Sequence, residues 1–170
     1  MPERHHVLHH RALTLCLLLL PLWAAHLHAA PLVPGAPTPS ILVDDQHGKP
    51  VRVDHRTQRV LFTAERAVND MVSKLLAAQP VGVLERQQAV YVADITAMPS
   101  IVTRLFALPK MRELPFSMGL VRDAAQLAQV ADIPRQPGAA TVLRFDDGKL
   151  IEILLVRNEI QLRAALGLEP

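Results

Sequence analysis

Apolar and polar residues follow two rhythms along this chain, and the change from one to the other marks out its elements. Ile41-Leu42-Val43 and Val51-Arg52-Val53 flank Asp44-Asp45-Gln46-His47-Gly48-Lys49-Pro50, so the pattern predicts a hairpin, with Gly48 supplying positive φ and His47 solvated at the tip. An apolar strand at Val60-Leu61-Phe62 runs into a polar corner, Thr63-Ala64-Glu65-Arg66. A helix follows, with Val68, Met71, Val72, Leu75 and Leu76 at i, i+3, i+4, i+7 and i+8. On its opposite face Asp70 and Lys74 are spaced for an i,i+4 ion pair, and Gln79-Pro80 ends it.

The second half repeats the alternation. Residues 89–95 form a nearly continuous apolar run, as in a strand covered on both faces. Met98-Pro99-Ser100 opens a second helix, predicted to turn Ile101, Leu105 and Phe106 inward and to stop before Pro109. Residues 116–122 read as another strand, Asp123 as the cap of a short alanine-rich helix, and Pro134 and Pro137 as bounds of a loop. Strands over 141–145 and 150–156 are joined by Asp146-Asp147-Gly148-Lys149, a strong hairpin signal. Asn158, with Gln161 three residues on, caps a last helix that Gly167 closes. Strand-helix alternation requires parallel pairing with crossovers, and the Asp-Gly hairpin adds an antiparallel edge. The fold class is therefore α/β: a central mixed sheet with an N-terminal hairpin and helices on both faces.

Residues 1–30 change the picture before any chemistry is assigned. Arg4 and Arg11, an apolar run from Ala12 to Ala25 broken by Pro21, and Ala29-Ala30 make the pattern of a secretory signal peptide. Residues 31–40, with four prolines, read as an extended tether that is disordered after cleavage, and residues 41–168 as the domain. The expected location is periplasmic, with membrane contact only during export. Cleavage removes His5, His6, His9 and His10, whose spacing would otherwise suggest a metal site, and Cys16, the one cysteine of the sequence. It leaves sixteen basic and fifteen acidic residues, a balance with no basic patch, so no nucleic-acid partner is expected.

Thiol-disulfide exchange and peroxide reduction need a thiolate, which the processed chain lacks. The seven glycines are scattered with no G-x-G-x-x-G, so no flavin or nicotinamide site is readable; no cofactor, metal or catalytic residue is assigned. Thr63, Glu65, Arg66, Asp94 and Thr96 fall at strand ends, with Asp123 nearby, but no histidine is placed to serve as a base. Their plain reading is structural: Thr63 and Asp123 as helix caps, and Glu65, Arg66 and Asp94 as solvated charges. The functional reading is a site at Thr63, Glu65, Arg66 and Asp94 that holds a small anionic ligand or an envelope protein. The alternative is an enzyme of atypical design using Glu65, Arg66 and Asp94.

The order of elements resembles the thioredoxin-like fold, and within it periplasmic thioredoxin-like and peroxiredoxin-like proteins. The stretches that carry the resemblance are residues 42–51 as the leading hairpin, 60–65 as the first core strand entering the active-site corner, and 141–149 as the closing hairpin. The resemblance implies a three-layer architecture and places the cysteines of Cys-x-x-Cys at Ala67 and Asp70, the peroxiredoxin cysteine at Arg66, and the cis-proline at Ala140. Each of these positions lacks the family's functional residue.

Overall fold

The computed structural model describes residues 30–168, so the expected leader, with its histidines and Cys16, lies outside the described residues except for Ala30. Seven strands build one sheet: β1 (Ile41–Asp44), β2 (Pro50–Val53), β3 (Arg59–Thr63), β4 (Ala89–Asp94), β5 (Gly119–Val121), β6 (Ala140–Asp146) and β7 (Lys149–Val156). Their spatial order is β2-β1-β5-β4-β3-β6-β7. β4 pairs in parallel with β3 and β5, and the remaining pairings are antiparallel, so the sheet is mixed, as the alternation required.

Helices cover both faces. Leu61, Tyr91, Leu120 and Val142 point to the face packed by α1 (Arg66–Ala77), α2 (Val83–Arg86) and α6 (Glu159–Leu166). Val60, Phe62, Val92 and Leu143, one residue out of phase, meet Leu127 of α5 (Ala124–Ala128) and Val130 and Ile133 beyond it. The predicted stripe of α1 is the buried one: Val68, Val72, Leu75 and Leu76 are in the core and Met71 lies half-buried against it. Truncating Leu75 to alanine would cost about 2–5 kcal/mol on that account. Asp123 and Asn158 cap α5 and α6 by accepting the backbone N–H three residues on, and Gly167 closes α6 with φ of 69°.

Three local expectations are corrected. The second helix does not stop before Pro109. It runs as α3 (Ser100–Val102), a wide π-turn (Thr103–Ala107) and α4 (Leu108–Arg112). The Leu108 N–H reaches back five residues to the Thr103 carbonyl, and this widening lets the chain pass a proline that would clash within a regular α-helical turn. The same shift alters which side faces the core. Ala107, Leu108 and Met111 pack inward, while Ile101, Leu105 and Phe106, expected inside, are 59%, 58% and 64% exposed. Ion pairing on α1 also differs: Asp70 meets Arg66 at 3.9 Å and Lys74 reaches Glu159 of α6 at 3.9 Å.

Residues 31–40 do not hang free. The Leu32 N–H donates to the Asp132 carbonyl at 2.9 Å, and Gly35 and Ala36 exchange hydrogen bonds with Leu150 at 2.7 and 2.8 Å. Pro37 forms a bridge with Lys149, so the segment lies along the start of the edge strand β7. Prolines suit such a place because the N–H groups they lack would have faced away from the sheet.

On the far side of the sheet the β1–β2 turn is fastened by a buried polar clamp. Gln46, 1% exposed, donates to the Phe116 carbonyl at 2.7 Å and accepts the Met118 N–H at 3.0 Å. Asp45 accepts the N–H groups of His47 and Lys49 and the Ser117 hydroxyl. This arrangement explains why the strand predicted over 116–122 is paired only over Gly119–Val121: the backbone ahead of it bonds to a side chain. Gly119 has no room for a side chain, since a Cβ there would lie 2.7 Å from Val43.

Candidate binding site at the strand ends

The corner after β3 is assembled from residues far apart in sequence. Glu65, the residue before α1, makes no cap with its side chain; both carboxylate oxygens accept the Gly138 N–H, at 3.1 and 3.2 Å. That contact joins the corner to the loop leading into β6. Asp94, at the end of β4, is not solvated as read from the sequence. Its side chain is 6% exposed, accepts from Thr96 and pairs with Arg135 at 2.9 Å. The Arg135 guanidinium lies 4.9 Å over the Phe62 ring, which holds it by cation–π attraction as well as charge.

Thr63 is not a helix cap. It is 1% exposed, and its hydroxyl lies 3.2 Å from the Tyr91 hydroxyl and 3.4 Å from Asn69 Oδ1. Tyr91 donates to the same Asn69 oxygen. Burial pushes the Tyr91 phenol well above its ordinary value, against the smaller downward pull of hydrogen bonds from Thr63 and Ser73, so it keeps its proton. Two hydroxyls thus occupy Asn69 Oδ1 from beneath. Arg66 stands at the surface, its side chain 87% exposed and loosely paired with Asp70. Ala67 and Asp70 carry no sulfur, and Ala140, where the resemblance puts a cis-proline, begins β6 with a trans peptide.

These pieces flank two depressions. A small one of about 190 Å³ lies on the Arg135–Gly138 side, between Phe62, Glu65 and Thr141. The larger, about 600 Å³, opens on the other side between α1 and residues 98–114. Its walls include Met98, Val102, Phe106, Met111 and Leu114, and its polar rim Asn69, Arg66, Asp70 and Lys110. The volume is within the range of small-molecule sites, and the lining joins ten apolar residues to seven polar ones, five of them charged. Of the residues singled out from sequence, Glu65, Arg66 and Asp94 line this groove, and Thr63 lies beneath it with its hydroxyl turned to Asn69 and Tyr91. Sequence reading missed Asn69, Met98, Phe106, Lys110 and Arg135. The one readable signal is the apolar stripe Ile101, Leu105, Phe106, which the sequence pattern turns toward the core.

Among the described residues no group of three or more histidine, cysteine or acidic side chains is gathered for a metal, and no helix is long and apolar enough to cross a membrane. The architecture, a mixed sheet led by a hairpin and closed by a hairpin with helices on both faces, is a thioredoxin-like fold. Among solved structures the chain is similar to a peroxiredoxin-like protein from Aquifex aeolicus, with 10% identity, 82% of this chain and 89% of that chain covered, and a TM-score of 0.53. It is also similar to the thioredoxin domain of a thiol-disulfide oxidoreductase from Bacteroides vulgatus, with 13% identity, 80% and 96% covered, and a TM-score of 0.51. No family model matches the chain, and no curated protein matches it in sequence.

Proposed function

We infer that this chain is an exported binding module, which uses the thioredoxin-like fold without thiol chemistry and receives a ligand in the groove between α1 and residues 98–114. The groove itself carries the reading: about 600 Å³ of apolar-walled space at the strand ends, beside positions where cysteine is replaced by Ala67 and Asp70. Thiol-disulfide exchange needs a thiolate, and residues 30–168 contain no cysteine. Export rests on the leader pattern of residues 1–30. The carboxylates an enzymatic reading would use are committed elsewhere, Glu65 to the Gly138 N–H and Asp94 to Arg135 and Thr96, which favours binding over catalysis.

Native mass spectrometry tests the reading on the chain expressed with its leader and recovered from the envelope, next to the double variant V102D/F106D. Val102 and Phe106 are 40% and 64% exposed and lie outside the buried core, so the variant is expected to keep its fold. The expected result is a bound small molecule on the parent chain, absent from the variant, and no maleimide adduct on the exported form. Equal retention by both chains, or thiol-dependent disulfide reduction by the exported chain, would overturn it.

A further inference from the structure

We propose that the outer edge of β7 is where a second copy of this chain pairs, strand to strand and antiparallel, so that one sheet runs through both molecules.

The sheet has two outer strands, and they are finished differently. β2 is four residues long, opens on Pro50, which has no N–H to offer, and exposes Arg52. The beginning of β7 is covered as well: Leu150 exchanges backbone hydrogen bonds with Gly35 and Ala36, and Pro37 lies beside Lys149. That cover then leaves the strand. Gly35, with φ of 92°, sits in a turn closed by the Ala36 N–H on the Val33 carbonyl, and Leu32 bonds to Asp132 instead of to β7. From Ile151 to Val156 the outer edge therefore has no backbone partner among the described residues.

The register decides which groups are left open. The Phe145 N–H bonds to Gln58 on the β3 side, so Arg144, Val142 and Ala140 turn their backbone groups to β7, where they face Glu152, Leu154 and Val156. Ile153 and Leu155 consequently point their N–H and C=O groups outward. The side chains around them are apolar: Ile151 is 50% and Leu155 37% exposed, and Ile153 and Leu154 are only partly buried. No proline, lysine or bend guards this stretch, and its one charge, Glu152, is neutralised by Arg144 at 2.7 Å.

A second copy fits because the stretch complements itself. With a two-fold axis at Leu154, Ile153 of each copy faces Leu155 of the other and exchanges N–H···O=C bonds with it in both directions. Their side chains meet as apolar cross-strand pairs on one face, and Leu154 meets its counterpart on the other. Glu152 falls opposite Val156, so no like charges are brought together. The ends fit too: the second strand finishes at Val156, before it would reach the residues that cover Leu150. An axis at Ile153 would instead set Lys149 against Arg157 and run into that cover.

Sedimentation velocity of the chain recovered from the envelope, over about 1 μM to 1 mM, tests the pairing. A short strand contact is expected to give a monomer–dimer equilibrium with Kd on the order of 10 μM. Leu155→Lys should weaken it at least about tenfold, because its effect is counted once in each copy. Leu105→Lys, also at an exposed position but on segment 98–114, should leave the dimer intact. In chains that carry Cys16→Ser, Leu154→Cys should form a covalent dimer on oxidation, since facing residues of a non-hydrogen-bonded pair lie about 4.5 Å apart between Cα atoms; Ile151→Cys should not. A monomer throughout the range, an undiminished dimer in Leu155→Lys, a dimer lost in Leu105→Lys, or cross-linking as ready through Ile151→Cys as through Leu154→Cys would overturn the proposal.

Discussion

The β1–β2 turn and the groove beside α1 are both polar places at the border of the sheet, and they are built on opposite terms. In the turn the buried polar groups meet partners: Gln46 uses its amide oxygen and nitrogen on Met118 and Phe116, and Arg112 and Arg122 donate to the Gln46 and Asp45 carbonyls. In the groove Glu65, Arg66, Asp70 and Lys110 stand at an exposed rim, and the pair formed there, Arg66 with Asp70, is a loose contact at 3.9 Å. A closed network of buried polar groups resists substitution because each deletion strands a desolvated partner. An open rim tolerates substitution and exposes its chemistry. The lesson is that the polar residues that fasten this fold are separate from those that rim its groove, though both sets border residues 98–118.

That contrast can be broken most severely at Gln46. Gln46→Leu leaves the Phe116 carbonyl and the Met118 N–H buried without partners, and about 3 kcal/mol of stability should be lost. Urea denaturation followed by circular dichroism measures it, and a loss near zero would mean the clamp is ornamental. Gly119→Ala comes next, at about 2 kcal/mol, because the new methyl would stand 2.7 Å from Val43 and 3.2 Å from Val51. Adding Val43→Ala should recover part of that loss, which distinguishes a clash from a general weakness of β5.

A smaller effect follows acid. Burial, the strongest influence on Asp45, raises its pKa, but the N–H groups of Lys49 and His47, the Ser117 hydroxyl and the His47 charge together outweigh it and hold the carboxyl below 3.8. A carboxyl depressed in the folded state stabilises the fold above its unfolded value, and that stability disappears as pH drops through the folded one. Unfolding free energy should therefore fall below pH 4 in the parent chain and fall less in Asp45→Asn. Equal acid slopes for the two would remove Asp45 from the clamp.

The smallest change is expected on the groove's outer wall. Ile101→Ser and Leu105→Ser should shift stability by no more than about 0.5 kcal/mol, since both side chains already stand in water. A cooperative loss of helix in either variant would show that this face packs against something after all.

Much of the fold was legible in the chain because its signals are short-range. The stripe of α1, the caps Asp123 and Asn158, and the Asp147-Gly148 reversal with φ of 44° and 70° each depend on residues within a few positions of one another. The segment 98–114 was legible as apolar and helical yet was turned the wrong way. A single wide turn ahead of Pro109 reassigns which side meets the sheet, and i, i+4 spacing carries no record of it. Reading that stripe as core concealed the groove.

The amino-acid order alone determined the alternation of strands and helices, hence a mixed sheet of thioredoxin-like plan, and it determined that residues 30–168 hold no thiol. Tertiary structure decided which charges remained at liberty. Glu65 found Gly138 across 73 residues, Asp94 found Arg135 across 41, and Gln46 found Phe116 across 70. Hydrogen bonding and ion pairing act over a few ångströms, and only the folded chain brings such distant positions that close. Lys110 shares a groove with Arg66 and Asp70 because the fold, and not the sequence spacing, brings α4 opposite the start of α1.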